Sequence, residues 1–207
     1  MSKYFTLWRN EAVIFPREVI IEGQNEAINS DFKTALKIMK LQSDPEVTEI
    51  RKPKLMLSWF YPEPQKIKNL RAALDAMMVF MVPKKMAFSD PMRGIAQDDE
   101  KSGEGRQPKV CFEFDAEEIY VSFIQDYKID LITTDYLHWY KFLMLFANLS
   151  KDCAFGRKFD LRTMDLKSFK GKEKAKLMKA QQDVQIPIRL SSTDLSIMEE
   201  VERKMNM

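Results

Sequence analysis

His138 is the residue best suited to proton transfer. It is the single histidine of the chain and sits in Tyr136-Leu137-His138-Trp139-Tyr140. An imidazole titrates near neutrality and can take or give a proton. Flanked by aromatics on an apolar segment, it reads as a hydrogen-bonded core residue rather than as an acid–base catalyst. Cys111 and Cys153 are the two thiols. Neither lies near another Cys or His in sequence, so a zinc ligand set is not assembled. Paired carboxylates occur at Glu117-Glu118 and Glu199-Glu200. Neighbouring residues on a helix diverge, so such pairs seldom share a substrate. The chain has no Gly-x-x-x-x-Gly-Lys loop, Gly-x-Ser-x-Gly elbow or His-Glu-x-x-His pair. The expectation is a protein that is not an enzyme, with no catalytic residue, no cofactor and no metal.

Charge is the next source of chemistry. The segment from Arg157 to Lys179 holds nine basic residues (Arg157, Lys158, Arg162, Lys167, Lys170, Lys172, Lys174, Lys176, Lys179) and three acidic ones. Such a stretch could meet phosphates. Glu113 to Asp135 opposes it, with seven acids against the single base Lys128. The two segments are expected to neutralise each other in part, within the chain or in a partner. The whole chain carries +2, which requires neither nucleic acid nor a membrane. No run approaches the roughly 18 apolar residues of a membrane-spanning helix. The first residues, with Arg9 and Glu11, do not resemble a signal peptide. Two isolated cysteines then fit a reducing cytoplasm, with free and mostly buried thiols. Fourteen methionines are many for 207 residues. Their flexible thioethers suit adaptable binding surfaces. Met77, Met78 and Met144 read as core filler, whereas Met86 and Met92 are the better candidates for partner contact.

These groups need elements to position them. Val19-Ile20-Ile21, the turn residues Glu22 to Asn25, and Ala27-Ile28 predict a β-hairpin. It is too small to stand alone and must pack on helices. Asn29 and Ser30 read as N-cap residues, with Asp31 at the positive end of the dipole of a helix over 31–41. Phe32, Ala35, Leu36 and Met39 line one face of that helix. A short helix starts near Pro53 and stops at Tyr61-Pro62. A third spans about 65–82, with Ile67, Leu70, Leu74, Met77, Met78 and Met81 as its apolar stripe. Residues 83–109 lack periodicity and read as a long mobile connection, although it carries Met86, Phe88, Met92 and Ile95. Asp115 and Glu118 resemble a capping box opening a fourth helix. Asp130 to Thr134 is a turn. The segment 135–149 is apolar nearly all round and is expected at the centre of the core. A polar helix over 172–184 and a last helix over about 193–204 follow. The last one has a narrow stripe of Leu195, Met198, Val201 and Met205, the width of a helix–helix seam. The fold class is therefore mainly α: a small helical domain with a short N-terminal β-hairpin and a C-terminal helical extension. Residues 1–187 form one domain with a flexible insertion at 83–109, and 188–207 form the extension.

The ordered set of segments resembles the bacteriophage gene-product-fifteen family of siphophages and prophages. Its residues are Ile28-Asn29-Ser30-Asp31-Phe32-Lys33-Thr34-Ala35-Leu36-Lys37-Ile38, then Phe60-Tyr61-Pro62, then Phe114-Asp115-Ala116-Glu117-Glu118-Ile119-Tyr120 with Phe123. The most specific piece is Tyr136-Leu137-His138-Trp139-Tyr140-Lys141-Phe142. Leu149, Ser150, Phe155 and Leu161-Arg162-Thr163-Met164-Asp165-Leu166 close it. The resemblance runs from Leu7 to Pro187. The loop at 83–109 is longer than the family pattern, and the helix after Pro187 has no counterpart in it.

The resemblance implies a tail assembly chaperone of the host bacterial cytoplasm. It would bind the tape measure protein and help recruit major tail protein subunits, as a homo-oligomer and beside an upstream tail assembly chaperone. An unassembled tape measure exposes long apolar helical faces that would aggregate, and a helical protein with an apolar groove can cover them. The alternative is a structural virion protein of the tail or head–tail junction, and a basic nucleic-acid-binding regulator ranks third. Asp31, Phe32, Tyr136, Trp139, Phe142, Arg162 and Asp165 are the expected structural residues. Arg162 and Asp165, three apart, are expected to tie the basic segment to the core, by meeting on a helical turn or by fixing a tight loop. For a role beyond a weak exposed pair, Arg162 must be partly buried or contact another group. Partner contact is expected from Met86, Phe88 and Met92 and from Leu195, Met198, Val201 and Met205.

Overall fold

A computed structural model describes residues 15–82, 109–187, 191–194, 196, 201 and 203. The chain is mainly helical with a two-stranded N-terminal hairpin. Where one domain over 1–187 was expected, it divides into two compact units. The hairpin unit contains the described residues up to Met81 and those after Ile186. The aromatic unit contains Val82 and residues 109–186.

In the hairpin unit, β1 (Glu18–Ile21) pairs antiparallel with β2 (Gln24–Ala27), Val19 opposite Glu26. The turn is shorter than the sequence suggested. Only Glu22 and Gly23 form it, both at positive φ (50° and 82°), the pattern that a tight hairpin turn requires. Helix α1 (Phe32–Gln42) buries Phe32, Ala35, Ile38 and Leu41. Its N-cap is Asp31, which accepts from the Lys33 N–H at 2.9 Å. Asn29 is not a cap of α1. It binds the end of α2 (Lys52–Phe60), its N–H donating to the Phe60 carbonyl at 2.7 Å and its amide to the Trp59 carbonyl at 2.6 Å. Those late carbonyls lack partners within their helix, so the backbone N–H and the side-chain amide of Asn29 satisfy them.

Helix α3 (Leu70–Met81) follows a 3-10 turn at Pro64–Lys66 and is capped by the Asn69 carboxamide oxygen on the Ala72 N–H. Its buried face is Ala73, Met77, Phe80 and Met81. Of the expected stripe, Met77 and Met81 are buried, but Leu70 and Met78 are exposed, so Met78 is not core filler. Tyr61 fixes the phase. Its buried hydroxyl donates to the Ala73 carbonyl at 2.9 Å, a close approach that a small residue at 73 permits. After Pro187, residues 192–194, 196, 201 and 203 are helical. Ser191 and Asp194 cap this stretch reciprocally, and Ser192 donates to the Glu46 carboxylate.

The aromatic unit consists of α4 (Ala116–Tyr127), α5 (Trp139–Ala147), α6 (Ala154–Thr163), a 3-10 turn (Leu166–Ser168) and α7 (Gly171–Asp183). The expected helix over 135–149 is shortened at its start. Asp130 accepts from the Ile132 and Thr133 N–H groups, and the chain stays non-helical until His138. The His138 Nδ1 then accepts from the Tyr140 N–H at 3.0 Å. His138 is thus buried and hydrogen-bonded, as the N-cap of α5 and not within it. Phe142 is wholly buried, in near-parallel stacks with Phe123 (5.2 Å), Trp139 (5.6 Å) and Phe146 (6.2 Å). Offset stacking of this kind adds to the burial of each ring.

Replacing Phe142 with Ala is expected to cost about 3–5 kcal/mol, measured by chemical denaturation. Gly156→Ala should also destabilise. A methyl there would lie 2.4 Å from the Ser150 carbonyl oxygen and 2.6 Å from that of Lys151, both backbone atoms.

Candidate functional site

Two features stand out: a buried ionic seam in the aromatic unit, and exposed apolar side chains on a helix of each unit. The seam begins with Asp115, the residue before α4, whose carboxylate is fully buried. It was expected to cap α4, yet it makes no capping bond. Arg162, in the last turn of α6, takes it in a two-pronged grip instead. Nη2 donates to Oδ1 at 2.6 Å and Nη1 to Oδ2 at 2.9 Å. The same guanidinium donates to the Lys109 carbonyl at 2.8 Å and, through Nε, to the Val184 carbonyl at 2.7 Å. Lys158, one turn earlier on α6, bridges Asp115 at 3.2 Å and Glu118 at 2.8 Å. The Cys111 N–H gives Asp115 a further bond at 3.0 Å. Two cations thus meet two carboxylates, with further bonds from the backbone. A buried charge pair is tolerated only when it is satisfied in this way.

The seam continues without charge pairs. Ser122 accepts from the Phe155 N–H at 3.0 Å and donates to the Glu118 carbonyl at 2.6 Å. Asp126 accepts from the Ser150 N–H at 2.7 Å. Asp115, Glu118, Ser122 and Asp126 recur every three or four residues, so one edge of α4 is polar and faces α6 and the loop before it. The neighbouring face, Ile119 and Phe123, enters the aromatic core. The acidic segment neutralises the basic one in part within the chain, through Lys158 and Arg162.

The expected pairing of Arg162 with Asp165 is overturned. Asp165 caps the 3-10 turn by accepting from the Lys167 N–H, and it is exposed. The Arg162 side chain lies on the buried side of α6, where Asp115 takes its fork. Trp139 and Phe142 lie together in the core, whereas Tyr136 is exposed. Asp31 and Phe32 belong to the hairpin unit. Val201 is exposed. Met86, Phe88, Met92, Leu195, Met198 and Met205 lie outside the described residues. Sequence reasoning missed Asp115, Lys158 and Glu118 as a set, and it missed α6 altogether. The available signal was a pair of matched spacings: acids at 115 and 118, and cations at 158 and 162. Cys153 is buried and free, Cys111 is half-buried and free, and no group of metal-binding side chains occurs among the described residues. No helix among them is long and apolar enough to cross a membrane.

Exposed apolar side chains are scattered over the described residues, Ile20, Ile50 and Ile132 among them, and two helices carry more than one. On α3 these are Leu70, Met78 and Val79, the last 67% exposed. On α4 they are Val121 and Ile124.

Removing one partner of the buried pair should be costly. Arg162→Met is expected to lose about 3–5 kcal/mol, and adding Asp115→Asn to it should recover part of that loss, as read by denaturant titration. Acid should act through the same group. Burial pushes the Asp115 carboxyl up, but the Arg162 and Cys111 hydrogen bonds, the Arg162 charge and Lys158 outweigh it and hold it below its ordinary value. Its contribution is therefore present above the usual carboxylate range and is lost as the pH falls through that range and below it. The pH profile of stability should be flatter in Asp115→Asn.

The family model described as Bacteriophage Gp15 protein matches residues 14–186. Neither the comparison with curated proteins nor that with solved structures gives a match. The family match takes in the hairpin, the aromatic core and the whole ionic seam. The chain belongs to the bacteriophage Gp15 protein family, and so is a phage structural or morphogenesis protein.

Proposed function

We propose that this protein is a tail assembly chaperone, which covers the tape measure protein and helps recruit major tail protein subunits during tail morphogenesis. It acts by binding and not by catalysis, in the host bacterial cytoplasm. An upstream tail assembly chaperone is a further proposed partner. The observation that carries the reading is the family match over residues 14–186. The surface supports it. Leu70, Met78 and Val79 on α3 are apolar side chains held out into water by a folded helix. Met78 and Val79 are neighbours on that helix. Exposed apolar surface can mark a contact site on a protein, and an amphipathic client helix offers a complementary face. Modest affinity per copy is sufficient where many copies line one long client, and it leaves the client releasable.

The test is co-expression with the tape measure protein of the same phage. The expected result is that the tape measure becomes more soluble and co-purifies with the chain. Val79→Asp should weaken capture roughly tenfold, the effect of about 1.4 kcal/mol. Mass spectrometry of finished virions should not find the chain. Its presence there in stoichiometric amount would mark it instead as a structural protein of the tail or head–tail junction. Failure to co-purify would contradict the chaperone reading.

A further inference from the structure

Two uncovered helical stripes of the aromatic unit match each other. On α4, Glu117, Val121, Ile124 and Lys128 are spaced by four, three and four residues and are all exposed. On α7, Lys172, Lys176, Lys179 and Asp183 have the same spacing and are also all exposed. Such spacing keeps Glu117, Val121 and Ile124, and likewise the α7 set, on one side of the helix. Lys128 follows α4 as its left-handed C-cap. Each stripe is about 16 Å long at roughly 1.5 Å per residue. The α4 stripe is negative at its start, apolar in the middle and positive at its end. The α7 stripe is positive at its start and middle and negative at its end.

Helix α7 buries none of its residues. It contacts α6 and the 3-10 turn that precedes it. At its C-terminal end the Gln181 amide donates to the carbonyls of Leu161, Arg162 and Met164, and Arg162 binds the carbonyl of Val184. Its lysines form no salt bridge among the described residues, and neither does Glu117. The charge left on both stripes is thus not compensated within the described chain.

We propose that the α4 stripe of one copy docks on the α7 stripe of a second copy, with the helices parallel. In that orientation Glu117 meets Lys172 and Lys128 meets Asp183. The aliphatic stems of Lys176 and Lys179 lie over Val121 and Ile124, and their ammonium groups reach water at the rim. The antiparallel orientation sets Glu117 against Asp183 and Lys128 against Lys172, so like charges exclude it. Both stripes are open to solvent in the single chain, so it does not satisfy them by itself. A nucleic-acid backbone would use the lysines, but it would meet Asp183 on the same face and would leave the α4 stripe without a role. The proposal is independent of the chaperone reading, since it concerns only how copies of this chain meet.

The experiment is sedimentation velocity on the full chain over a range of concentrations, at low and at high salt. Self-association is expected at low salt and should weaken as salt screens the end pairs. The variants K172E/K176E/K179E and E117K/I124K should each sediment as monomers with unchanged circular dichroism. Mixed together, they should associate again, because the reversed α7 stripe of one now fits the reversed α4 stripe of the other. A wild-type chain that is monomeric throughout would overturn the proposal. So would variants that associate as the wild type does, or a mixture that stays monomeric although both variants are folded. Binding of a short DNA duplex that is lost in K172E/K176E/K179E, with oligomeric state unaffected, would assign the lysines to nucleic acid and overturn it as well.

Discussion

The aromatic unit depends on one interaction, the grip of Arg162 on Asp115. Both side chains are out of water, and each is taken up by several partners. Desolvating two charges costs more than a single contact returns, so such a pair persists only with its other hydrogen bonds made. Four bonds from one guanidinium reach three places in the chain: the approach to α4 at Lys109, the residue before α4 at Asp115, and the end of α7 at Val184. These segments are thereby tied to α6. The pair also lies at favourable helix ends, a carboxylate before α4 and a guanidinium in the last turn of α6.

Helix α4 shares its faces among three tasks. One face enters the aromatic stack around Phe142, and one edge forms the polar seam with α6. A third stripe remains in water. The stack supplies the bulk of the apolar burial, but stacked rings alone do not fix how far one helix slides along another. The seam does, because Asp115, Glu118, Ser122 and Asp126 each bond to a definite group on α6 or in the loop before it. The hairpin unit uses the same device with neutral groups. Asn29 closes the end of α2, and the Tyr61 hydroxyl sets α3 against it.

Local chemistry was legible in the sequence, and distant pairing was not. The hairpin, α1, α2 and α7 followed from turn residues, caps and apolar spacing. The aromatic run at 139–146 pointed to the core. Helix α6 escaped because Ala154–Thr163 buries only Phe155 and Arg162, too sparse a stripe to show periodicity. Arg162 was assigned to Asp165, three residues on, while its partner lies 47 residues away. Asn29 was read as a cap of the helix it precedes, but it serves one 30 residues on. In each case the residue type was the right signal and sequence distance was the wrong guide. The family resemblance, by contrast, came from the order of several short motifs, and the family match over 14–186 agrees with it.

The two levels meet in α7. Its lysines are useful to a partner only if the helix is held in place, and it has no buried residue to hold it. Arg162 and Gln181 provide the attachment, so the ionic seam that organises the interior also presents the outer surface. Hydrogen exchange followed by mass spectrometry, comparing the wild-type chain with Arg162→Gln, tests this most directly. The account predicts faster exchange at residues 109–115 and 171–186 in the variant, with α5 still protected. Unchanged exchange in those two segments would contradict it.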